Sequence, residues 1–376
     1  MTDKRVVYIL SPEPWGTNKV SKHHYASLLA RQENQVYFIN PRSDNYHLEE
    51  VEPNLFAINY TSKRGLNKLP WFLRRVFQIW LAKRIMKKLQ LPTPDIVWSF
   101  DPYVFQNLNC FSSKAFKIYH PVDDHLTPLE WTCAQTADLI LAVSDMILDK
   151  FETLQKPRGF INHGLADHFV AHASSYNPPE KGKIKVGLVG NLNYAQMDYP
   201  TLFRIIEQNP SIQFVFIGPY AVDNLSDRVL FESEIQRLRT YENTELRGPV
   251  VSDQLPTTLD EMDAFLICYD SETYKRHTSN SHKVLEYLST GRPIVSHYID
   301  QYKDQTELIY MAKTNDQLPK VFNKIMKEIE IWSSQELSEK RSTFARENSY
   351  RLQLNKIQAA VSKAGFSWSN TGNGNL

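Results

Sequence analysis

The chain has 376 residues, which is more than one hydrophobic core usually supports, and this length favours two domains. Its formal net charge of +1 argues against a basic surface that coats nucleic acid. Its three cysteines lie far apart, which indicates a reducing compartment and no disulfide framework. The amino terminus lacks a signal-peptide pattern, and no apolar run is long enough to span a bilayer, so we expect a cytoplasmic protein.

Short apolar segments alternate with helical segments along most of the chain. In the first half, the predicted strands are 6–10, 35–40, 55–60, 95–100, 116–121, 139–144 and 159–164. In the second half, they are 184–190, 212–218, 244–250, 264–270, 293–298 and 309–314. Apolar strands separated by helices are typical of a parallel sheet covered on both faces. The pattern therefore predicts an α/β protein with two doubly wound, Rossmann-like domains that face each other across a cleft.

The predicted domain boundaries follow from composition. Residues 171–183 are polar and contain prolines, which is typical of a linker. The first domain would then cover 1–170 and the second 184–343. A final helix over 344–365 follows, which can cross back to the first domain, and 366–376 form a flexible tail.

Ligands of such sheets bind beyond the carboxyl ends of the strands. Gly190 ends one predicted strand, and a glycine there allows the backbone to approach a ligand closely. The loop after Asp270 leads into a short helix whose start can be capped by Asn280 or Ser281. Nearby basic residues would make this helix start an anion site, with a solvated loop as the alternative. They are Lys275, Arg276 and Lys283.

The same short helix carries an unexpected carboxylate, Glu286. Its apolar positions Val284, Leu285 and Leu288 indicate a buried face, and Gly291 ends the helix. Glu286 stands three residues after Lys283, so composition alone favours a solvated ion pair between them.

Six segments, taken in order and spacing, resemble one enzyme family. They are 137–147, 161–169, 186–192, 214–219, 245–269 and 281–296. They are similar to segments of the retaining nucleotide-sugar glycosyltransferases of GT-B architecture that are numbered four among the glycosyltransferase families. The resemblance covers nearly all of residues 1–365 and implies that the second domain binds the donor nucleotide and the first binds the acceptor.

The resemblance assigns roles in the second domain. Glu286 would accept hydrogen bonds from the two ribose hydroxyls. The diphosphate would meet the helix start at Asn280, Ser281 and Lys283, together with Arg276. It would also meet the N–H groups of Gly190 and Asn191.

In the first domain, the resemblance places His120 against the transferred sugar. Asp123 and Asp124 follow it in the same strand-end loop and are candidate catalytic residues, with a structural histidine and capping aspartates as the alternative. Gly16 lies in the loop after the first strand, near the donor phosphates or the acceptor, with an ordinary turn as the alternative.

The sequence predicts neither a metal nor a cofactor, and the nucleotide sugar is a co-substrate. No aspartate–any–aspartate triplet occurs, and His163, His168 and His172 have no cysteine or carboxylate at ligand spacing. Retention in this family is usually explained by front-side attack, so we assign no protein nucleophile.

The chain departs from the family at three places. Thr278 stands where the first of two paired glutamates is expected, His282 replaces a proline, and basic residues are missing from 191–198. A nucleotide-sugar epimerase of the same fold and a catalytically inert binding module therefore remain alternatives.

Residues 63–91 combine aromatic and basic residues without any acidic residue. This composition is typical of an interfacial helix on an anionic membrane, which would favour a peripheral location and a lipid-linked acceptor. The alternative is a helix that covers the first sheet with a solvated basic face. Nucleic acid is disfavoured by the near-neutral total charge.

Overall fold

The computed structural model describes residues 4–16, 19–63, 65, 68–172, 184–220 and 231–368. The chain divides into two compact units. The first unit contains Met1–Asn162 and Tyr350–Leu376, and the second contains His163–Ser349. Each unit has its own sheet, so the predicted α/β class with two mainly parallel sheets is confirmed.

The first unit has an eight-stranded sheet in the order β3-β4-β2-β1-β5-β6-β7-β8. Its strands are β1 (Val6–Leu10), β2 (Gln35–Ile39), β3 (His47–Glu52), β4 (Leu55–Asn59), β5 (Ile96–Ser99), β6 (Phe116–Tyr119), β7 (Leu139–Ala142) and β8 (Arg158–Phe160). The helices between them are α1 (Ser21–Arg31), α2 (Trp71–Lys88), α3 (Leu129–Thr136) and α4 (Asp145–Leu148). Short 3-10 turns span Leu108–Cys110 and Asp149–Leu154. The apolar strand residues and the inner helix faces form the core of this unit.

The sequence analysis missed β3, the only antiparallel strand described in this sheet. Its sequence, HLEEVE, has three acidic residues, and half of its positions are exposed. An edge strand needs only one paired side, so it can be polar, and its charges discourage further strand pairing. Asn54 makes the turn into β4 with φ of 66°, a backbone conformation that asparagine tolerates.

The second unit has a six-stranded, fully parallel sheet in the order β11-β10-β9-β12-β13-β14. Its strands are β9 (Lys185–Val189), β10 (Gln213–Ile217), β11 (Thr244–Gly248), β12 (Ala264–Ile267), β13 (Ile294–Ser296) and β14 (Tyr310–Met311). Its helices are α5 (Asp167–Ala171), α6 (Tyr199–Gln208), α7 (Glu232–Thr240), α8 (Leu255–Leu259), α9 (His282–Ser289), α10 (Leu318–Lys327), α11 (Ile329–Trp332) and α12 (Gln335–Glu347). Short 3-10 turns span Ser252–Gln254, Asp300–Tyr302 and Asn315–Gln317.

The start of the second unit differs from the predicted boundary at residue 170. Leu165 N donates to Asn348 O at 2.8 Å, and His172 Nε2 lies 2.6 Å from Asp260 Oδ2. These contacts join residues from 163 onward to the second unit. Ala171, placed in the predicted linker 171–183, ends α5, and residues 173–183 lie outside the described residues.

The predicted helix over 344–365 is two helices, α12 and α13 (Tyr350–Lys363). Asn348 separates them: its side chain donates to Phe344 O at 2.9 Å, and its own carbonyl accepts from Leu165. Asparagine side chains compete in this way with helical hydrogen bonds, which ends α12.

The carboxyl-terminal segment belongs to the first unit. The ring of Tyr350, in α13, stacks on His24 with a centroid distance of 4.4 Å. The predicted flexible tail 366–376 is partly packed. The ring centroid of Phe366 lies 5.1 Å from that of Phe116, and Trp368 is buried. Two large aromatic side chains can bury enough apolar surface to order the backbone that carries them. Residues 369–376 lie outside the described residues.

Candidate functional site

Two glycines meet at the carboxyl ends of β9 and β10. Gly190 and Gly218 have φ of 144° and 141°, which side-chain-bearing residues rarely adopt. A Cβ atom on Gly218 would lie 2.1 Å from the carbonyl oxygen of Gly190. Gly190 N donates to Ile217 O at 2.8 Å, and the two strand-end loops therefore touch through bare backbone.

Gly190 also makes room for Lys283. A Cβ atom on Gly190 would lie 2.8 Å from Lys283 Cε, so the lysine side chain extends across the end of β9. Lys283 Nζ lies 5.6 Å from the ring centroid of Tyr269, which follows β12. The ammonium group therefore lies at the carboxyl end of the sheet, in the space left by Gly190 and near an aromatic face.

Buried side chains fix helix α9 in this position. Val284, Leu285 and Leu288 are buried as the sequence predicted. The Tyr287 hydroxyl accepts a hydrogen bond from Val189 N at 2.7 Å, and its ring stacks on Phe265 at 4.1 Å. Tyr287 thus joins α9 to two strands.

Glu286 lies next to these anchoring residues and is half-buried. Burial raises the pKa of its carboxyl to about 7, and the positive charge of Lys283 opposes the rise. A carboxylate that is expensive to ionise, at the ligand-binding end of a parallel sheet, is typical of a functional residue.

The raised pKa gives a testable dependence of stability on pH. Between the unfolded value of 4.5 and the folded value of about 7, the folded state binds more protons, so the contribution of Glu286 to stability falls as pH rises. We therefore expect Glu286→Gln to stabilise the protein at pH 8 by about 1–3 kcal/mol and to have little effect near pH 4.5. Urea unfolding at both pH values measures this difference, and an equal effect at both would contradict the assignment.

The other predicted donor-site residues are Asn191, Asn280, Ser281 and Arg276, and their surroundings differ from one another. Asn191 Oδ1 accepts from Asn193 N at 2.8 Å. Asn280 is buried, and Ser281 is the N-cap residue of α9 but makes no capping hydrogen bond with its side chain. Arg276 is exposed in the preceding turn.

One predicted donor interaction is wrong. The N–H group of Gly190 is not available to a diphosphate, because it already donates to Ile217 O across the sheet. The residues brought together at the strand ends are therefore Gly190, Lys283 and Glu286.

The sequence analysis missed two residues of this site, Tyr269 and His297. His297 follows β13, and its Nδ1 lies 3.2 Å from Tyr269 N. Burial lowers the pKa of His297 to about 4, so the ring is neutral at pH 7. Both residues lie within two residues of a strand end, and the rule that ligands bind at strand ends could have identified them.

Thr278, at the expected position of the family's first glutamate, contacts its own backbone turn. Its hydroxyl donates to Tyr274 O at 3.0 Å, and the side chain is buried.

In the first unit, His120 follows β6 but does not lie at a surface. It is only 1% exposed, and its ring packs within an aromatic cluster. The centroid of the His120 ring lies 5.1 Å from that of Phe100, 5.9 Å from that of Trp98 and 6.1 Å from that of Tyr25. Its predicted contact with the transferred sugar is therefore disfavoured by burial, and the structural alternative describes its surroundings better.

The two candidate catalytic aspartates have different environments. Asp123 is exposed, whereas Asp124 is buried and its Oδ1 lies 2.5 Å from Lys150 Nζ. Lys150 also pairs with buried Glu130. Asp124 is therefore part of a buried ion-pair network, which favours a structural role for it over a catalytic one. Gly16 lies in the loop after β1, and in the described part of the chain no atom other than those of its chain neighbours lies within 4 Å of a Cβ placed on it.

Similar solved structures share this architecture. Sucrose-phosphate synthase from Thermosynechococcus elongatus is similar with a TM-score of 0.70 and 11% identity, over 96% of this chain and 100% of that one. A glycosyltransferase from Rickettsia africae has a TM-score of 0.68 and 14% identity, over 97% and 100%. HepE from Anabaena, solved with UDP and glucose, has a TM-score of 0.65 and 12% identity, over 96% and 99%. No protein-family model and no curated protein sequence matches the chain.

These similarities extend over nearly the whole chain and show the fold. The chain has the GT-B architecture, with two doubly wound α/β units, as the sequence resemblance implied. In the described residues, no helix is long and apolar enough to cross a membrane.

Proposed function

We propose that the chain is a glycosyltransferase that moves a sugar from a nucleotide-sugar donor to a glycan or lipid-linked acceptor. The supporting observation is the half-buried carboxylate of Glu286, next to Lys283 on the anchored helix α9 at the carboxyl end of a parallel sheet. A similarly folded protein was solved with UDP and glucose, which favours a donor of this class.

Glu286 and Lys283 bind different parts of the donor, the ribose and the diphosphate. Glu286 accepts hydrogen bonds from the two ribose hydroxyls through its two carboxylate oxygens. Lys283 and the start of α9 face the diphosphate, whose negative charge increases as the sugar departs. The rigid attachment of α9 through Tyr287 holds both groups in place, as a site of this kind requires.

The transfer proceeds with retention and needs no protein nucleophile. The acceptor hydroxyl attacks the anomeric carbon of the sugar from the same face from which the phosphate departs. The departing phosphate takes the proton of the acceptor hydroxyl. Lys283 stabilises the released diphosphate throughout this step.

Incubation with nucleotide sugars alone tests the reaction class. Slow hydrolysis of the donor is expected for a transferase, because water replaces the absent acceptor. A new sugar epimer would instead identify an epimerase. An unchanged donor that still raises the melting temperature would identify a binding module.

We expect activity to be independent of divalent metal. The sequence has no aspartate–any–aspartate triplet, and Lys283 with the start of α9 can neutralise the diphosphate. Donor hydrolysis should therefore continue at the same rate in excess chelator. A loss of hydrolysis that magnesium or manganese restores would contradict this.

The enzyme would act at an anionic membrane surface through residues 63–91. Helix α2 has exposed aromatic residues beside basic ones, with Trp71 68% and Phe72 52% exposed. Such a helix binds an interface by burying its apolar side chains and placing its charges near lipid phosphates. A lipid-linked acceptor at the cytoplasmic face of the membrane fits this arrangement.

A further inference from the structure

The outward face of helix α2 changes character along its length. Phe72, Val76 and Trp80 follow each other at spacings of four residues and are 52%, 66% and 49% exposed. Lys83 and Lys87 continue the same face for the last turns and are exposed. The apolar and basic parts are thus separated along the helix axis.

Beside this helix, two recesses form one groove. Their volumes are about 400 Å³ and 500 Å³, and both are lined by Ser62, Lys63, Phe77 and Leu81. Because they share these residues, the two recesses adjoin between α2 and the segment after β4. The groove has an apolar floor, to which Phe77 and Leu81 contribute.

The rim of the groove is basic. Its cations are Arg42, Lys63, Arg74 and Arg84, and none of the described lining residues is acidic. The guanidinium of Arg84 lies 5.0 Å from the ring centroid of Trp80, which holds it between the groove and the exposed apolar face. Arg42, Lys63 and Arg84 are all exposed, so an anion can reach their charges.

We propose that this groove binds the phosphate headgroup and the first chain carbons of an anionic phospholipid in a bilayer. Its apolar floor suits the chain, its arginines suit the phosphate, and the adjacent Phe72, Val76 and Trp80 enter the interface. The proposal rests on the membrane contact proposed above and adds a defined lipid site to it. Charge complementarity favours an anionic phospholipid over a neutral lipid, and the apolar floor favours it over an acidic protein surface.

The test separates a lipid site from general charge attraction. The groove variant combines Arg42→Gln with Arg84→Gln. The matched control combines Lys83→Gln with Lys87→Gln, which removes the same charge from the outward face. The probe is monomeric dihexanoylphosphatidylglycerol, detected through tryptophan fluorescence because Trp80 lines the groove.

We expect saturable binding of this soluble lipid to wild type and to the control variant. The groove variant should bind it at least about tenfold more weakly, because two charge-assisted contacts are lost. Equal affinity of the two variants, or no saturable binding to wild type, would overturn the lipid site. Equally tight binding of inorganic phosphate would instead assign the groove to free phosphate and overturn the proposal.

Vesicle sedimentation provides the second measurement. Phe72→Ser with Val76→Ser should abolish pelleting with equimolar phosphatidylglycerol and phosphatidylcholine, yet leave the soluble lipid bound. If the unfolding transition of the Arg42→Gln, Arg84→Gln variant differs from that of wild type, a variant that combines Lys63→Gln with Arg84→Gln is used in its place. Nucleotide binding is measured in parallel, so that loss of the lipid site and failure of the proposed glycosyltransferase function are distinguished.

Discussion

Glu286→Ala should lower the affinity for the preferred nucleotide diphosphate by about two to four orders of magnitude. The substitution removes two hydrogen bonds from the ribose hydroxyls to an ionised carboxylate, worth about 1.5–3 kcal/mol each. Each 1.4 kcal/mol corresponds to roughly a tenfold change in the dissociation constant. Glu286→Gln should be intermediate, since it keeps one acceptor oxygen but loses the charge. Titration calorimetry measures all three affinities.

The 2′-deoxy nucleotide provides the control for this prediction. Wild type should bind the 2′-deoxy nucleotide more weakly than it binds the ribose form. The alanine variant should bind the two forms with equal affinity. Calorimetry on the two proteins and two ligands gives the coupling between Glu286 and the 2′-hydroxyl. Wild-type affinity in the alanine variant, with a lower melting temperature, would assign Glu286 to structure and contradict the donor site.

The affinity and stability effects of Glu286 should have opposite signs. Its raised pKa shows that ionisation is costly in the folded protein, so Glu286→Gln stabilises the free protein at pH 8. The same ionised group is the one that binds the ribose. A residue that lowers stability in the free state and contributes to ligand binding is expected in a binding site and not in a surface ion pair.

Most strands were predictable because they are continuous apolar runs. β1 has the predicted bounds, and the central strands of both sheets begin and end within a few residues of the predicted positions. Such runs predict buried parallel strands regardless of distant contacts. The edge strand β3 was not predictable in this way, because its acidic sequence is set by exposure to water and not by burial.

The candidate site was predictable only where it depends on local pattern. Glu286 and Lys283 share a helix whose apolar spacing and terminating glycine are visible in the sequence. The environment of Asp124 is set by Lys150, which is 26 residues away, and local spacing carries no information about this pair. The burial of His120 likewise depends on aromatic residues from α1 and β5.

The unit boundaries depended on tertiary contacts in the same way. Nothing in the composition of residues 163–171 indicates that Leu165 pairs with Asn348, more than 180 residues away. The polar composition of 171–183 did not locate the boundary, which lies between residues 162 and 163.

Gly218→Ala should lower the free energy of unfolding of the second unit by about 3 kcal/mol or more. The new Cβ atom would lie 2.1 Å from the carbonyl oxygen of Gly190, which is backbone and cannot rotate away. The φ of 141° adds strain of about 1–3 kcal/mol, and the clash adds a comparable cost of overpacking. Relief of the clash would require β9 and β10 to separate at the end where Lys283 and Glu286 lie, so nucleotide binding should weaken as well.

Gly248→Ala is the matched control, because it isolates backbone strain from the clash. Gly248 also has positive φ, at 80°, but the nearest atom to its Cβ position lies 3.8 Å away in Tyr220. Gly248→Ala should therefore lower the free energy of unfolding only by the backbone strain, about 1–2 kcal/mol, and leave the Gly190 loop in place. Calorimetric unfolding and nucleotide titration of both variants measure the difference. Equal destabilisation of the two variants would mean that the contact between Gly218 and Gly190 does not hold the strand ends together, and that Lys283 is positioned without it.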